Sequence, residues 1–336
     1  MSPRLKIFFI ITDIILSAII SFVSFFTIAQ AMKLKESEVT QVTPSDLIKK
    51  KTDVSGELPT VESEDNAPKD DILDDPNRIN ILLLGNGGAN HPGGGLTDTI
   101  QVISLNISCK KVLMISVPRD LSIDVAGTGE RKINEAYAVG ERLGQGKGGQ
   151  IAKETVARVV GLKINYFMRI DFSGFSRLVD VIGGIDVMVD EKLKDPIVRL
   201  NLEPGQYHMD GKEALAYVRS RKTTNDFDRA RRQQKVIVAI KNRLLEDKIL
   251  LEPNKINEII NILAKNLNFD IELTEIPRFT NLISGINVAD IKNKVLDNNK
   301  TDNLLYSTYN RRGQYILLPV GGSWQKIRMK VRELLP

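Results

Sequence analysis

Residues 214–234, ALAYVRSRKTTNDFDRARRQQ, crowd Arg219, Arg221, Arg229, Arg231 and Arg232 beside only two acids. Like charges repel, so such a run is either a solvated helix face or an anion site. Guanidinium forks match phosphate oxygens in pairs and stay protonated at neutral pH. If VRSR is extended, Arg219 and Arg221 point the same way, because strand side chains repeat every two residues. In the helix that follows, Asp226, Arg229 and Gln233 share a face through their three- and four-residue spacings. Arg232 lies a quarter turn or more away and Arg231 further still. Gln233 and Gln234 lead straight into KVIVAIKNRLL, which places polar groups over an apolar groove and favours the anion site. A further arginine, Arg119 of SVPRD, has two readings that the residues leave level. It pairs with Asp120 after Pro118 ends a strand, or it stands at a sheet's carboxyl edge, where α/β folds place ligands.

These side chains need a scaffold, and the apolar pattern supplies one. INILLLG, TIQVISLN and KVLMISVP are short β-branched runs bounded by Gly, Asn or Pro, as buried strands are. YFMRIDF and IDVMVD read as further strands, and NLLYSTY and QYILLPV as later ones. KINEAYAVGERLG, QIAKETVARVVG, FSGFSRLVDVIGG, DGKEALAYV and FDRARRQQKVIVAIKNRLLE carry helical spacing, several with a glycine stop. NKINEIINILAKNLN and LTEIPRFTNLISGI read as later helices. The alternation predicts an α/β fold with a sheet covered on both faces. Two glycine-rich stretches, LGNGGANHPGGGLTDT and GQGKGG, lack the context of a nucleotide loop and read as turns.

The chain has 336 residues and a net charge of +5, with a single cysteine, Cys109, and two histidines, His91 and His208. One cysteine excludes an internal disulfide, and two histidines make a zinc site or a Ser-His-Asp triad a poor reading. Ile14–Met32 holds no charged residue, and its length approaches a bilayer core. An uncleaved anchor is favoured over a signal peptide, with Arg4 and Lys6 holding the N-terminus in the cytoplasm. The polar segment 33–78 carries a net −5, which leaves +9 on the rest of the chain from Ile79. A disordered acidic tether beside a basic domain points to an anionic partner for that domain.

The ordered set NILLLG, LTD, SVPRD, LVDVIGGIDV, ALAYVRSR and DFDRARRQQ, from about Asn80 to Leu245, resembles the LytR-CpsA-Psr family. The resemblance implies a central mixed β-sheet with helices on both faces and an apolar tunnel for a lipid tail, after a single N-terminal transmembrane helix. It implies an envelope phosphotransferase that moves a glycopolymer from a polyprenyl-pyrophosphate carrier onto peptidoglycan, leaving a phosphodiester. By similarity Arg119, Lys132, Arg219, Arg221, Arg229 and Gln233 would grip the pyrophosphate. Asp226 would orient Arg229 or the acceptor hydroxyl, and Asp98 would hold Mg²⁺. Arg119, Asp226 and Arg229 are the expected catalytic set. Members usually carry an Asp in a turn after the first strand and an Arg just before the Thr-Asp pair; Gly87 and Leu96 stand there instead, which weakens the expected metal site. Asn86 or His91, or water in the Mg²⁺ shell, is expected to compensate.

The expected organisation is a cytoplasmic tail 1–13, anchor 14–32, linker 33–78, catalytic domain 79–250 and a C-terminal α/β extension 251–336. The main domain is expected outside the cytoplasmic membrane. A non-catalytic module that binds polyprenyl phosphate or envelope polymer, and a polyprenyl-pyrophosphate hydrolase, are the alternatives. A nucleic-acid partner is not expected, since no helix-turn-helix or aromatic-basic stacking pattern is present.

Overall fold

Three apolar runs become three adjacent strands, β1 (Arg78–Asn86), β2 (Thr97–Asn106) and β3 (Val112–Ser116), paired antiparallel. The computed structural model describes residues 71–88, 91–221, 225–246, 267–271 and 273–336, with a few positions between 247 and 266. The expected tail, the anchor, the first 38 linker residues (33–70) and the NKINEIINILAKNLN helix lie wholly or mainly outside the described residues. Among the described residues no helix is long and apolar enough to cross a membrane.

After β3 come a small hairpin, β4 (Ser122–Asp124) and β5 (Glu130–Lys132), then helices α1 (Ala136–Leu143) and α2 (Gly148–Val160). Strand β6 (Tyr166–Asp171) returns parallel to β1, and Asp171 at its end caps helix α3 (Phe172–Val181) by accepting from the Gly174 amide. Strands β7 (Ile185–Val189), β8 (Leu193–Asp195), β9 (Leu200–Leu202) and β10 (Gly205–Met209) form two small two-stranded sheets. Helices α4 (Gly211–Arg219) and α5 (Asp226–Glu246) follow. The chain closes with β11 (Leu267–Phe269), α6 (Ile276–Ser284), β12 (Ile291–Val295), β13 (Leu305–Tyr309), β14 (Tyr315–Pro319) and α7 (Gln325–Leu334).

The main sheet runs β11-β6-β1-β2-β3-β12 and mixes parallel with antiparallel pairs. Both faces are covered, and alternate β3 side chains go to opposite sides. Leu113 and Ile115 join the cluster that holds α1, α2 and α7 residues such as Val139, Val156 and Ile327. Val112 and Met114 join Ile237 of α5 and Leu282 of α6 on the other face. A third cluster packs α3, α4 and β7 against Val236 and Ala239 of α5. The expected α/β architecture with a central mixed sheet is therefore present.

Three local expectations change. The tether does not run to residue 78, because Asp71 is held by Arg328 and Arg332 of α7 at 3.0 and 2.7 Å. Leu73 also pairs with Leu162. These few packed residues have no period that composition could reveal. Nor does 251–336 stand apart as an extension: β12 is an edge strand of the main sheet, and Trp324, Ile327 and Val331 share the core of Leu82 and Leu113. Finally, VRSR is not a strand. A capping box between Asp210 and Glu213 starts α4, and the helix continues through Arg219, leaving Ser220 as the extended residue after it.

Candidate active site

The carboxyl ends of β2 and β3 point in opposite directions, yet the start of β2 and the end of β3 meet at one edge, as antiparallel pairing requires. Asp98 opens β2 there, and Arg119 follows β3 after Pro118. The Arg119 Nη1 donates to Asp98 Oδ1 at 2.5 Å, and its Nε donates to Asp226 Oδ2 at 3.0 Å. Asp120 adds a weaker ion pair at 3.6 Å and also binds Lys132 Nζ at 2.6 Å. Both readings of SVPRD therefore hold, since Arg119 touches Asp120 and stands at the sheet edge.

Asp226, in the first turn of α5, is the hub. Its Oδ1 accepts from Arg221 Nε at 2.8 Å, and its Oδ2 accepts from Arg119 and, at 3.3 Å, from Arg229 Nη2. Asn225 starts this helix correctly, its side-chain oxygen accepting from the amides of Phe227 and Asp228. Arg229 also donates to the Asp98 carbonyl at 3.3 Å, and its Nε is buried with no partner among the described residues. Burial pulls the Arg229 pKa down to about 10; Asp226 opposes this, while Arg119 and Arg221 push the same way as burial. Burial also works against Arg119, but the carboxylates of Asp226, Asp98 and Asp120 outweigh it and hold Arg119 above the usual arginine value. Both side chains are cations at neutral pH.

Arg219 reaches the same place from the end of α4. Its guanidinium stacks 4.3 Å over the Phe172 ring, which meets His91 edge to face at 5.3 Å. Gln233 lies one turn beyond Arg229 on α5 and faces the same space. All eight expected site residues, Asp98, Arg119, Lys132, Arg219, Arg221, Asp226, Arg229 and Gln233, line one cavity. Arg231 does not join them; it pairs with Asp228 at 2.6 Å and Asp297 at 3.4 Å on the outer side of α5. Arg232 is buried and donates to the carbonyls of Tyr217 and Ser220, pinning the end of α4 that carries Arg219.

Several contributors escaped the sequence reading. Asp195 accepts from the Arg221 amide at 2.8 Å and from the Ile197 amide at 3.0 Å, which fixes the Arg221 backbone against the β8–β9 turn. Phe172, Asp120 and Tyr315 also line the cavity. The sequence marks Asp120 only as a partner of Arg119; Asp195, Phe172 and Tyr315 come from elements far apart in sequence, and no local spacing marks them as site residues.

The cavity has a volume of about 1070 Å³, above the ~300–1,000 Å³ of ordinary small-molecule sites. Below the charged mouth its walls are apolar, with Phe175, Leu215, Val218, Val236 and Ile237 among them. Five cations and five carboxylates line it, and Asp171 and Asp195 are engaged with backbone amides. The lining charges therefore balance formally, and what the mouth offers an anion is the N–H donors its cations have to spare. A guanidinium carries five N–H donors, so these arginines can hold their carboxylates and still offer hydrogens to phosphate oxygens. A polar anionic head at the mouth and a long apolar tail within is the ligand this shape admits.

Metal-binding capacity is limited. Asp98 faces the cavity, but Gly87 offers no carboxylate, and a Cβ added there would lie 2.6 Å from His91 Cγ. No group of three or more His, Cys, Asp or Glu side chains suited to a metal ion occurs among the described residues. The donor set therefore suits Mg²⁺ only as an ion shared with a ligand's oxygens and water.

The family model described as the LytR_cpsA_psr family matches residues 26–317. The chain is 33% identical over 202 residues to the polyisoprenyl-teichoic acid–peptidoglycan teichoic acid transferase TagU of Oceanobacillus iheyensis, covering 59% of this chain and 60% of the relative. It is 32% identical over 186 residues to the regulatory protein MsrR of Staphylococcus aureus, covering 54% of each. The chain thus spans little more than half the length of the curated relatives it matches. Among solved structures, Bacillus subtilis TagV superposes with a TM-score of 0.61 at 28% identity, covering 76% of this chain and 96% of that one. With the family pattern running over most of its length, the chain belongs to the LytR-CpsA-Psr family.

Proposed function

We propose that the protein transfers a glycopolymer from a polyprenyl-diphosphate carrier to peptidoglycan, leaving a phosphodiester link in cell-wall assembly. The observation that carries this reading is the Asp226-centred arginine fork at the mouth of a large apolar cavity. It is supported by the similarity to TagU, which is named as a transferase of this kind.

In this reading the lipid tail enters the apolar interior, and the diphosphate lies against Arg219, Arg221, Lys132 and Gln233. Arg119 and Arg229 face the phosphorus that carries the glycopolymer. An acceptor hydroxyl attacks that phosphorus, a new P–O bond forms, and the P–O bond to polyprenyl phosphate breaks. The hydroxyl proton passes to water, and polyprenyl phosphate leaves with the electron pair. Phosphoryl transfer gains most from positioning and charge neutralisation, which fixed guanidiniums supply. Asp226 holds three of them in register, so their alignment is set before the ligand arrives. Asp98, with ligand oxygens and water, would hold Mg²⁺, and the ion would add charge neutralisation at the phosphates when bound.

The described domain would lie outside the cytoplasm, tethered to the membrane by residues 14–32 with the N-terminus inside. Protease added to spheroplasts should then remove the domain and leave a small membrane-held fragment; a chain found to begin at Met32 would overturn the tether.

The activity test is incubation of the full chain with a polyprenyl-diphosphate sugar and peptidoglycan fragments. A phosphodiester-linked product is expected. Release of polyprenyl phosphate without a linked product would make it a hydrolase, and binding without turnover would make it a carrier module.

A further inference from the structure

The hairpin of β13 and β14 presents aromatic side chains beside the reactive centre without burying them. Tyr309 stands directly across from Tyr315 in the antiparallel register, and opposite residues share a face. That face is the one that reaches the cavity, because Tyr315 and Leu317 both line it. The two rings meet edge to face at 6.2 Å and 78°, yet Tyr309 is 70% exposed and Tyr315 is 39% exposed. Core packing does not account for rings left so open. Arg311 and Arg312, both exposed, sit in the turn between the strands.

The hairpin is also fixed to the catalytic segment. The Leu317 amide donates to the Asp120 carbonyl at 2.9 Å, and Leu317 bridges to Leu121. Tyr315 therefore keeps a set position relative to Arg119. Burial, followed by the nearby charges of Asp120 and Asp226, holds its phenol protonated beyond the ordinary tyrosine range. Tyr315 thus shares the cavity wall with Asp226, and Tyr309 against it opens to solvent.

What such a surface takes follows from its chemistry, on the reading that the protein is a glycopolymer transferase. An open tyrosine pair offers flat apolar faces with polar edges, matching a pyranose ring, which has C–H groups on its face and hydroxyls around its rim. In-line displacement places the attacking oxygen opposite the leaving oxygen. The leaving polyprenyl phosphate follows its tail into the apolar interior, so the acceptor must approach from the solvent side, where the tyrosines stand. We infer that Tyr309 and Tyr315 form the subsite for the acceptor glycan, with a sugar ring stacked on them. Arg311 and Arg312 meet the carboxylates that peptidoglycan carries.

The test uses the full chain and three readouts: binding of peptidoglycan fragments alone, binding of a polyprenyl-diphosphate sugar alone, and transfer kinetics with each substrate varied. Tyr309→Ala should weaken fragment binding and raise the acceptor KM, each by roughly five- to ten-fold, the range of one aromatic stacking contact. Donor affinity should be retained, and Tyr309→Trp should restore the acceptor values. Tyr309 is on the surface, so the variant should fold; Tyr306→Ala, which removes an exposed ring from the opposite face of the same strand, should stay close to the parent. Unchanged fragment binding in Tyr309→Ala would overturn the subsite. Donor affinity lost in place of acceptor affinity would overturn it too, by giving the rings to the donor's sugar. A parent protein that binds fragments through Tyr309 but performs no transfer would keep the glycan subsite and refute the transferase reading.

Discussion

Asp226→Asn separates alignment from attraction at the proposed site. The amide keeps the size of the carboxylate but offers one acceptor atom where there were two. Its oxygen serves best at the position of Oδ2, which holds Arg119 at 3.0 Å and Arg229 at 3.3 Å. The NH₂ then faces Arg221, and that contact at 2.8 Å is lost. Arg221 has a side chain 50% exposed, so solvent screening limits its loss to under about 1 kcal/mol. The two retained bonds change from charge-assisted to neutral-acceptor bonds, a weakening of about 1 kcal/mol each. Together the loss of alignment comes to about 2–3 kcal/mol, or a roughly 30- to 150-fold slower transfer step. Affinity for the diphosphate should not fall in parallel, because a negative charge beside it has been removed. Single-turnover rates and equilibrium binding of a polyprenyl-diphosphate sugar, with thermal melting as a check on folding, measure the two effects. Equal losses in rate and affinity, or an unchanged rate, would refute the hub role of Asp226.

The remaining predictions concern neighbouring residues. Burial disfavours the charged form of Arg229 in the folded chain and lowers its pKa to about 10. Its cost to stability is therefore full below about pH 10 and fades as pH rises through that value, while diphosphate affinity should drop over the same interval. Arg229→Gln should abolish that drop, as read by binding titrations at fixed ionic strength. Arg219→Ala should cost about 1.5–3 kcal/mol in affinity for a phosphate head, with Lys restoring only part of it, whereas Arg231→Ala should leave transfer near the parent rate. Gly87→Asp alone should add little Mg²⁺ affinity because its Cβ meets His91 at 2.6 Å. Gly87→Asp with His91→Ala should raise that affinity, and Asp98→Ala should lower it, by metal titration in the presence of diphosphate.

Local pattern carried much of the architecture. The apolar runs at 79–85, 99–106 and 111–118 marked β1, β2 and β3, and three- and four-residue spacing put Asp226, Arg229 and Gln233 on one face of α5. Elements shaped by tertiary pairing were harder to see. Strand β12 reads IKNKV, too short and too polar to announce itself, and its partner β3 lies far earlier in the chain. The hairpin of β4 and β5 has three-residue strands, below what alternation can mark. At the site, Arg219 was found for its type and nearness to Arg221, although the strand expected to aim both is the end of a helix. Phe172, His91 and Tyr315 were not assigned their contacts, because cation–π stacking and a shared cavity wall depend on folded distance and not on sequence spacing.

Helix α5 divides two apolar clusters, with Val236 packed in one, Ile237 in the other, and both facing the cavity between them. The bore is therefore a seam along one helix and not a hole through the sheet. Larger or smaller side chains at these two positions change its width, while β1, β2 and β3 keep their pairing. On the proposed reading, substitutions at these two positions would change the length and branching of the chain admitted, while Arg229 and Gln233 on the same helix keep their place at the mouth.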